Sequence, residues 1–317
     1  MSKLAFLYGG QITLEPDLAD RFHRHSPGVR RASAEAAQCI GLSEKEFRTY
    51  RPADPEFGHS LDALRHAALA LGLTDDLAAH GVIPDVVGGL SLGALIGACV
   101  AEAIEREQLY AMLFQRRLVP PLPPSAPAQA MVLVSAPIEC DPESFCESDI
   151  HLAVDTGPLD LETRSFVLAG HRAALEDLIA DAPAGVLMFL LDRYQGAFHS
   201  PLQRHAVDFM SGFVSTMAFH DPKIPVCSPI DRSTMTTAEQ IRDFVSRHNL
   251  LPARYEPIVA EIDRIGGRAA VVIGPGLPPP AAAAFLVEMF TDPTEPDRLP
   301  DVLPIAFAHR LSHRRRR

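Results

Sequence analysis

Val86-Val87-Gly88-Gly89-Leu90-Ser91-Leu92-Gly93-Ala94-Leu95-Ile96 is the stretch that decides the fold. An apolar run leads into Gly-x-Ser-x-Gly, and small and apolar residues follow at once. This pattern predicts a buried strand, a sharp turn and a helix, with the serine at the turn. A helix N-terminus stabilises negative charge beside that serine. We therefore predict that Ser91 is a nucleophile that forms an acyl-enzyme, the alternative being a chance match in a glycine-rich loop.

The residues before this stretch favour an α/β fold. Leu4–Tyr8 is a short apolar run that predicts a buried parallel strand, and it ends at Gly9-Gly10-Gln11. Helical spacing of apolar residues follows over Leu61–Leu73 and Asp75–His80. Because ligands bind beyond the carboxyl ends of strands in a doubly wound sheet, we expect Gln11 to lie beside Ser91.

A proline-rich stretch, Val119–Pro127, cannot form a helix or a central strand and predicts a hinge into a second unit. Beyond it the pattern is β-α-β-β-α-β, which is typical of a ferredoxin-like fold. The predicted elements are Met131–Ser135, Pro142–Glu147, His151–Val154, Ser165–Ala169, Arg172–Ala180 and Gly185–Leu191. We therefore predict a large α/β domain of residues 1–127 and 199–317, with a ferredoxin-like subdomain inserted at 128–198. The large domain is expected to end with a strand over Arg268–Ile273 and a helix over Ala281–Met289.

Composition excludes several function classes. The chain has 317 residues, of which 47% are hydrophobic and 22% charged, and its net charge is −11. A net negative charge argues against nucleic acid as the main partner, because phosphate binding needs concentrated Lys and Arg. No apolar run is long enough to cross a bilayer. Five cysteines without metal-ligand spacing predict reduced thiols and no metal site, and together with the absence of a leader they predict a cytoplasmic location.

Four motifs, in this order, resemble those of one enzyme family. They are Tyr8-Gly9-Gly10-Gln11, Gly89-Leu90-Ser91-Leu92-Gly93, Ala197-Phe198-His199-Ser200 and Val271-Val272-Ile273-Gly274-Pro275-Gly276. Together they resemble the malonyl-CoA:acyl carrier protein transacylases and the acyltransferases of polyketide synthases. The likeness extends to about residue 285 and implies a discrete member with a large α/β-hydrolase-like parallel-sheet domain and an inserted ferredoxin-like subdomain.

The resemblance also implies catalytic roles. A serine hydroxyl needs a base to take its proton, and His199 is implied to be that base. The backbone N–H groups of Gln11 and Leu92 are implied to stabilise the oxyanion. A main-chain carbonyl, here that of His248, is implied to orient the histidine. The family usually has glutamine at this position. We expect the imidazole of His248 to lie on the surface, the alternative being a third catalytic imidazole.

The resemblance also implies which residues bind the acyl group. These residues indicate which acyl group the protein carries. Malonyl-type members carry an arginine 25 residues after the serine, and 91 + 25 = 116 is Arg116. A guanidinium pairs with a carboxylate through two hydrogen bonds. Phe198 also resembles the malonyl-type motif, and Leu90 is expected to contact substrate. The alternatives are that Arg116 is solvated, or that a one-residue shift puts Gln115 in the pocket.

The pocket region also departs from the family pattern. Ala94 stands where glutamate is usual, Arg117 replaces a glycine, and His59-Ser60 replaces a glutamine. The Asn-x-Pro of the ferredoxin-like unit is missing from Val154–Pro158. An intact catalytic pair beside a changed pocket suits a different cargo, such as an aminoacyl or peptidyl group.

Several functions therefore remain open at the level of sequence. The leading one is transfer of an acyl group, with malonyl favoured, to an acidic acyl carrier protein in polyketide or fatty-acid biosynthesis. No bound cofactor is expected, since the phosphopantetheine thiol of coenzyme A or of a carrier protein is the substrate arm. The alternatives are transfer of a non-malonyl group between two carrier proteins, hydrolysis of acyl carrier protein thioesters, and a catalytically silent docking module.

Overall fold

A computed structural model describes residues 3–12, 16–274, 276 and 286–289. The helices in this part of the chain are α1 Pro16–His25, α2 Pro27–Cys39, α3 Glu44–Thr49, α4 Pro55–Ala79, α5 Leu92–Val100, α6 Arg106–Gln115, α7 Arg172–Ala180, α8 Arg204–Thr216, α9 Ala238–Arg247 and α10 Tyr255–Arg264. The strands are β1 Lys3–Tyr8, β2 Val86–Gly89, β3 Gln129–Pro137, β4 Ile150–Pro158, β5 Thr163–His171, β6 Leu187–Leu190, β7 Val226–Cys227, β8 Thr234–Met235, β9 Ala253–Arg254, β10 Gly267–Ile273 and β11 Leu286–Met289. This arrangement confirms the predicted α/β class.

The first sheet brings the predicted motifs to one edge. Its strand order is β11-β10-β1-β2-β7-β8, and all neighbours are parallel except β7 and β8. Tyr8 pairs with Gly89 on one side and with Ile273 on the other, so three strands end at the same level. The loops after them therefore meet beyond the carboxyl ends of the strands, where parallel sheets bind ligands.

Helix α4 packs against the loop that follows β1 at this edge of the sheet. It is one continuous helix of 25 residues, where the sequence predicted two segments. Asp54 caps its N-terminus by accepting a hydrogen bond from the N–H of Phe57 at 2.8 Å. Most of its side chains from Ser60 onward are buried. Two histidines seven residues apart, His59 and His66, project from it towards the loop after β1, to which both are hydrogen bonded.

The second sheet has the order β6-β3-β5-β4-β9. Its first four strands are antiparallel neighbours. The first predicted helix is instead a 3₁₀ turn over Pro142–Phe145, four residues long, capped by the Asp141 carboxylate. Strand β9 joins this sheet parallel to β4, although it lies in the chain beyond 199. The domain boundaries at 127/128 and 198/199 stay a prediction.

The prediction of a helix over Ala281–Met289 was wrong for its last four residues. Leu286–Met289 is strand β11, which pairs in parallel with β10 from Ala269↔Leu286 to Val272↔Met289. The physical reason is that β10 would otherwise leave a row of unpaired backbone groups at the edge of the sheet. Residues 281–285 lie outside the described residues.

Within the described residues, no helix combines the length and the apolar character that crossing a bilayer requires. The same part of the chain contains no group of three or more His, Cys, Asp and Glu side chains that could hold a metal ion.

Candidate active site

Ser91 sits at a sharp turn between β2 and α5. Its backbone has φ +52° and ψ −118°, a region that residues with a Cβ rarely adopt. Neighbouring glycines make this turn possible: a Cβ on Gly93 would lie 2.3 Å from the carbonyl oxygen of Tyr8, and one on Gly89 would lie 2.4 Å from the carbonyl carbon of Gly93. The predicted strand-turn-helix geometry is therefore present, with the serine held at the end of the sheet.

His199 lies directly against Ser91. Its Nε2 is 2.7 Å from the Ser91 Oγ, and its Nδ1 is 2.8 Å from the main-chain oxygen of His248. Because a carbonyl oxygen only accepts hydrogen bonds, Nδ1 must carry the proton. Nε2 of the neutral ring is then an acceptor for the Ser91 hydroxyl. This is the geometry that general-base activation of a serine requires.

Burial keeps this imidazole neutral. His199 is 3% exposed. Burial lowers its pKa from the ordinary value, and the charge of Arg116 lowers it further, while the hydrogen bond to the His248 carbonyl opposes the shift. The ring is therefore unprotonated and able to accept a proton throughout the neutral range.

We expect the rate of Ser91 acylation to be independent of pH across the neutral range. It should fall only as pH drops below 6.5, because the pKa of His199 lies below that ordinary value and protonation of Nε2 removes the base. The measurement is the single-turnover rate of acyl attachment as a function of pH. A midpoint above 6.5 would contradict the assignment of His199 as a buried neutral base.

Protein stability is the necessary control for this profile. Burial lowers the pKa of His59 and His248 to about 3 and that of His66 to about 4. The unfolded chain therefore binds more protons than the folded one below pH 6.5, and stability is lost as pH falls through this range. Circular dichroism at each pH separates loss of the base from unfolding.

Two backbone N–H groups lie on the loops that meet beside the serine. Leu92 is the first residue of α5, so no carbonyl group within the helix can accept a hydrogen bond from its N–H. The N–H of Gln11 makes no hydrogen bond within the described residues. A Cβ built on the adjacent Gly10 would lie 3.9 Å from the Ser91 Cβ, which puts this loop next to the nucleophile. The expectation that the loops after β1 and β2 meet is confirmed.

The loop that carries Gln11 is held on several sides. The Tyr194 hydroxyl donates to the Gln11 main-chain oxygen at 3.0 Å. The Gln11 side-chain Nε2 donates to the main-chain oxygen of His59 at 2.9 Å, and the N–H of Ile12 donates to His66 Nδ1 at 3.3 Å. The sequence reasoning missed Tyr194 and His66. A histidine on a long apolar helix was a signal that could have identified His66. No pattern in the sequence near residue 194 indicated a role for Tyr194.

Arg116 points into the site region from the end of α6. Its Cζ lies 5.5 Å from the centroid of the Phe198 ring, and Phe198 stacks on His59 at 4.9 Å and 6°. Within the described residues its guanidinium has no carboxylate partner within ion-pair distance. Burial lowers the pKa of Arg116, and Glu56 opposes that shift. Arg116, and not Gln115, lines the cavity beside Phe198.

Two expectations about side chains were wrong. Leu90 is 2% exposed and packs in the core beneath the sheet with Leu7 and Ile258, so its side chain does not face the site. Leu90 directly follows β2 and continues the alternation of its side chains, which puts it on the same face as Val86. The His248 ring was expected on the surface, but it is 8% exposed and its Nδ1 lies 2.9 Å from the main-chain oxygen of Val245. The turn after α9 folds the ring back against its own helix.

Comparison with models of known protein families shows which family this chain belongs to. The family model of the acyl transferase domain matches residues 62–275, which is more than half of the chain. The chain belongs to the acyl transferase domain family. The family inferred from the four sequence motifs is thereby confirmed.

Individual relatives of this chain are distant. The malonyl CoA-acyl carrier protein transacylase of Bacillus subtilis is 22% identical over 298 residues, which cover 87% of this chain and 88% of that protein. Polyketide synthase GfsA of Streptomyces halstedii is 26% identical over 203 residues, covering 63% of this chain. The matched region spans only 3% of the length of that synthase.

A solved structure has the same fold as this chain. It is a complex of a type II polyketide synthase acyl-carrier protein with its malonyl-transacylase, PlMCAT:AntF in the holo form. The TM-score is 0.73 at 20% identity, over 90% of this chain and 93% of that one.

Proposed function

We propose that this protein transfers an acyl group from a thioester, through an ester on Ser91, to the phosphopantetheine thiol of an acyl carrier protein. The observation that carries the proposal is the chain of hydrogen bonds from Ser91 Oγ to His199 Nε2 and from His199 Nδ1 to the His248 carbonyl, at 2.7 and 2.8 Å. It provides a nucleophile, a base and a group that orients the base. Family membership supports acyl transfer as the reaction class.

The first half-reaction forms the acyl-enzyme. Ser91 Oγ attacks the thioester carbonyl carbon while His199 Nε2 takes the hydroxyl proton. The carbonyl oxygen becomes an oxyanion that accepts hydrogen bonds from the N–H groups of Gln11 and Leu92. The C–S bond then breaks, and the leaving thiolate takes the proton from His199.

The second half-reaction reverses these roles. The acceptor thiol gives its proton to His199 Nε2, and its sulfur attacks the Ser91 ester carbonyl. The same two N–H groups stabilise the second oxyanion. The C–Oγ bond breaks and Ser91 recovers its proton from His199. Each step conserves protons and electrons, so the chemistry needs no further reactant.

The cargo we favour is a malonyl-type group. A guanidinium without a carboxylate partner, held over Phe198 beside the base, suits the free carboxylate of such a substrate. The donor would be malonyl-CoA or a carrier-protein thioester. An acidic acyl carrier protein is the proposed acceptor, in keeping with the carrier protein seated on the related malonyl-transacylase. The cytoplasmic location also stays a prediction.

A non-malonyl cargo carried between two carrier proteins is the second candidate. The observation that favours it is the His59 ring, which stacks on Phe198, at the pair His59-Ser60 that replaces the glutamine usual in the family. The Ser91–His199 hydrogen bond is intact beside this change. Hydrolysis of the acyl-enzyme uses the same residues and differs only in the acceptor, whereas a silent docking module would not need them.

The proposal is tested by the mass of the intact protein after exposure to a panel of acyl-CoAs that includes malonyl-CoA and acetyl-CoA. We expect an adduct of one acyl group on Ser91, which peptide mapping would locate. Adding holo acyl carrier protein should move that mass to the carrier. Release of free acid instead would favour the hydrolase, and the absence of any adduct with all thioesters would eliminate acyl transfer.

A further inference from the structure

A cavity of about 920 Å³ opens beside the catalytic pair. The segment 119–124, α8 and α9 form its sides. Arg116, Phe198 and His248 line it, and each of these is a neighbour of His199. Leu95, one helical turn after Ser91, also lines it. This volume is at the upper end of pockets that hold drug-sized ligands, roughly 300–1,000 Å³, and far exceeds the space that a three-carbon acyl group fills.

One polar atom that lines this cavity has no protein partner within the described residues. The carbonyl oxygen of Val245 can only accept, so His248 Nδ1 carries the proton of that 2.9 Å hydrogen bond. His248 Nε2 is then an acceptor, and it makes no hydrogen bond within the described residues. The residue is 8% exposed. Nε2 is not among the fully buried atoms that lack a partner, so it stays open to the cavity, where a donor on a bound molecule can reach it.

The ring stays an acceptor at neutral pH, because burial lowers the pKa of His248 to about 3 and the nearby His199 lowers it further. Part of the lining is apolar and is formed by the side chains of Leu95, Met112, Leu113, Val207, Met210, Val214 and Val245. The polar and basic part includes Ser211, Ser215, Ser246, Asn249, Arg117, Arg172 and Arg242. The lining carboxylates of Asp54, Glu56 and Asp192 are exposed, which places them at the open side. A chain with an apolar part and a donor can contact both the apolar side chains and the His248 ring.

We propose that the cavity is a distal acyl pocket that receives the far end of an acyl group longer than malonyl, with His248 Nε2 accepting a hydrogen bond from an amide N–H or a hydroxyl of that group. This inference rests on the proposed acyl-enzyme function. A short acid would end at Arg116, whereas a longer neutral chain would continue past it into the pocket. The His248 ring thus binds the acyl group, while the main-chain carbonyl of the same residue orients His199.

The pocket is tested by filling it. Ala206 lies on α8 and lines the cavity, so A206W should block it. Ala218 is exposed and lies outside the cavity lining, so A218W is the matched control. The probes are N-acetyl-β-alanyl-CoA and malonyl-CoA, with the single-turnover rate of Ser91 acylation as the readout. We expect A206W to lower the ratio of long-chain to malonyl rates at least about tenfold, and A218W to leave that ratio unchanged.

The hydrogen bond is tested with matched probes. N-acetyl-β-alanyl-CoA and 3-acetoxypropanoyl-CoA differ only by N–H against oxygen, and 3-hydroxyhexanoyl-CoA and hexanoyl-CoA differ only by the hydroxyl. Wild type should prefer the donor-bearing member of at least one pair by about five- to tenfold, the value of one hydrogen bond. H248F, which keeps a ring and the main-chain carbonyl, should abolish that preference, and the pair affected identifies the donor as amide or hydroxyl.

The outcomes separate this inference from the function on which it rests. If malonyl-CoA acylates Ser91 but none of the longer thioesters does, or if A206W and A218W behave alike, the distal pocket is overturned and acyl transfer stands. If H248F keeps the donor preference, the role of Nε2 is overturned. Failure of every thioester to acylate Ser91 would overturn the proposed function itself.

Discussion

The S91A variant should take up no acyl group from any thioester, and H199N should acylate Ser91 about 10²–10⁴-fold more slowly than wild type. The first change removes the nucleophile. The second removes the base that lies 2.7 Å from it. Asparagine is chosen at 199 because this residue has φ +59°, a conformation that asparagine tolerates better than alanine. Stopped single-turnover reactions followed by intact mass measure both effects.

The combined variant gives a sharper result. Because Ser91 and His199 act as one unit, S91A/H199N should be no worse than S91A alone. The control is H220A, since His220 is exposed and far from the described site contacts. Residual acylation of S91A at the wild-type rate would place the nucleophile elsewhere. An unchanged rate in H199N, with an unchanged melting temperature, would remove His199 from the mechanism.

Replacing Arg116 by alanine should lower kcat/KM for malonyl-CoA on the order of 10²–10³-fold and leave acetyl-CoA nearly unaffected. Two charge-assisted hydrogen bonds to a carboxylate account for a loss of this size. Acetyl has no carboxylate, so the malonyl-to-acetyl ratio isolates the pair from any general damage. The measurement is kcat/KM for both donors with holo acyl carrier protein as acceptor.

Arg117 offers a matched control for this change. Its Cζ lies 4.2 Å from the centroid of the Phe114 ring and 5.9 Å from that of Phe57, so it lines the same cavity as Arg116 but stacks on aromatic rings other than Phe198. R117A should therefore leave the malonyl-to-acetyl ratio unchanged. If R116A also leaves it unchanged, the cargo carries no carboxylate and the second candidate function is the better one.

Local sequence predicted the elements that carry the chemistry. Helix α7 begins and ends at the predicted residues, and β1, β2 and the elbow match closely. These elements depend on nearest neighbours: short apolar runs, glycines at turns, and caps such as Thr237, whose hydroxyl accepts from the N–H of Gln240. Strands β8, β9 and β11 were not predicted. The two-residue strands carry no periodic signal, and all three exist because a sheet edge is available to pair with them.

The positions of individual side chains were harder to predict than the helices and strands. The sequence alone indicated that Ser91, His199 and Gln11 belong together, because the order of motifs resembles a family. It did not indicate that Leu90 faces the core, that the His248 ring is buried, or that Tyr194 reaches Gln11. The last contact joins residues 183 positions apart. Such contacts depend on how two sheets and their helices pack, and no local pattern contains that information.

The amino-acid sequence by itself determined the α/β class, the turn at Ser91 and the family. The glycines at 89 and 93 leave room for one backbone path there, since a Cβ on either would lie within 2.5 Å of backbone atoms. Tertiary structure alone decided which ring nitrogen faces the serine, the stack of Arg116, Phe198 and His59, and the cavity beside His248. Backbone turns are set by steric limits within a few residues, whereas a pocket is the space left between elements that the chain brings together only on folding.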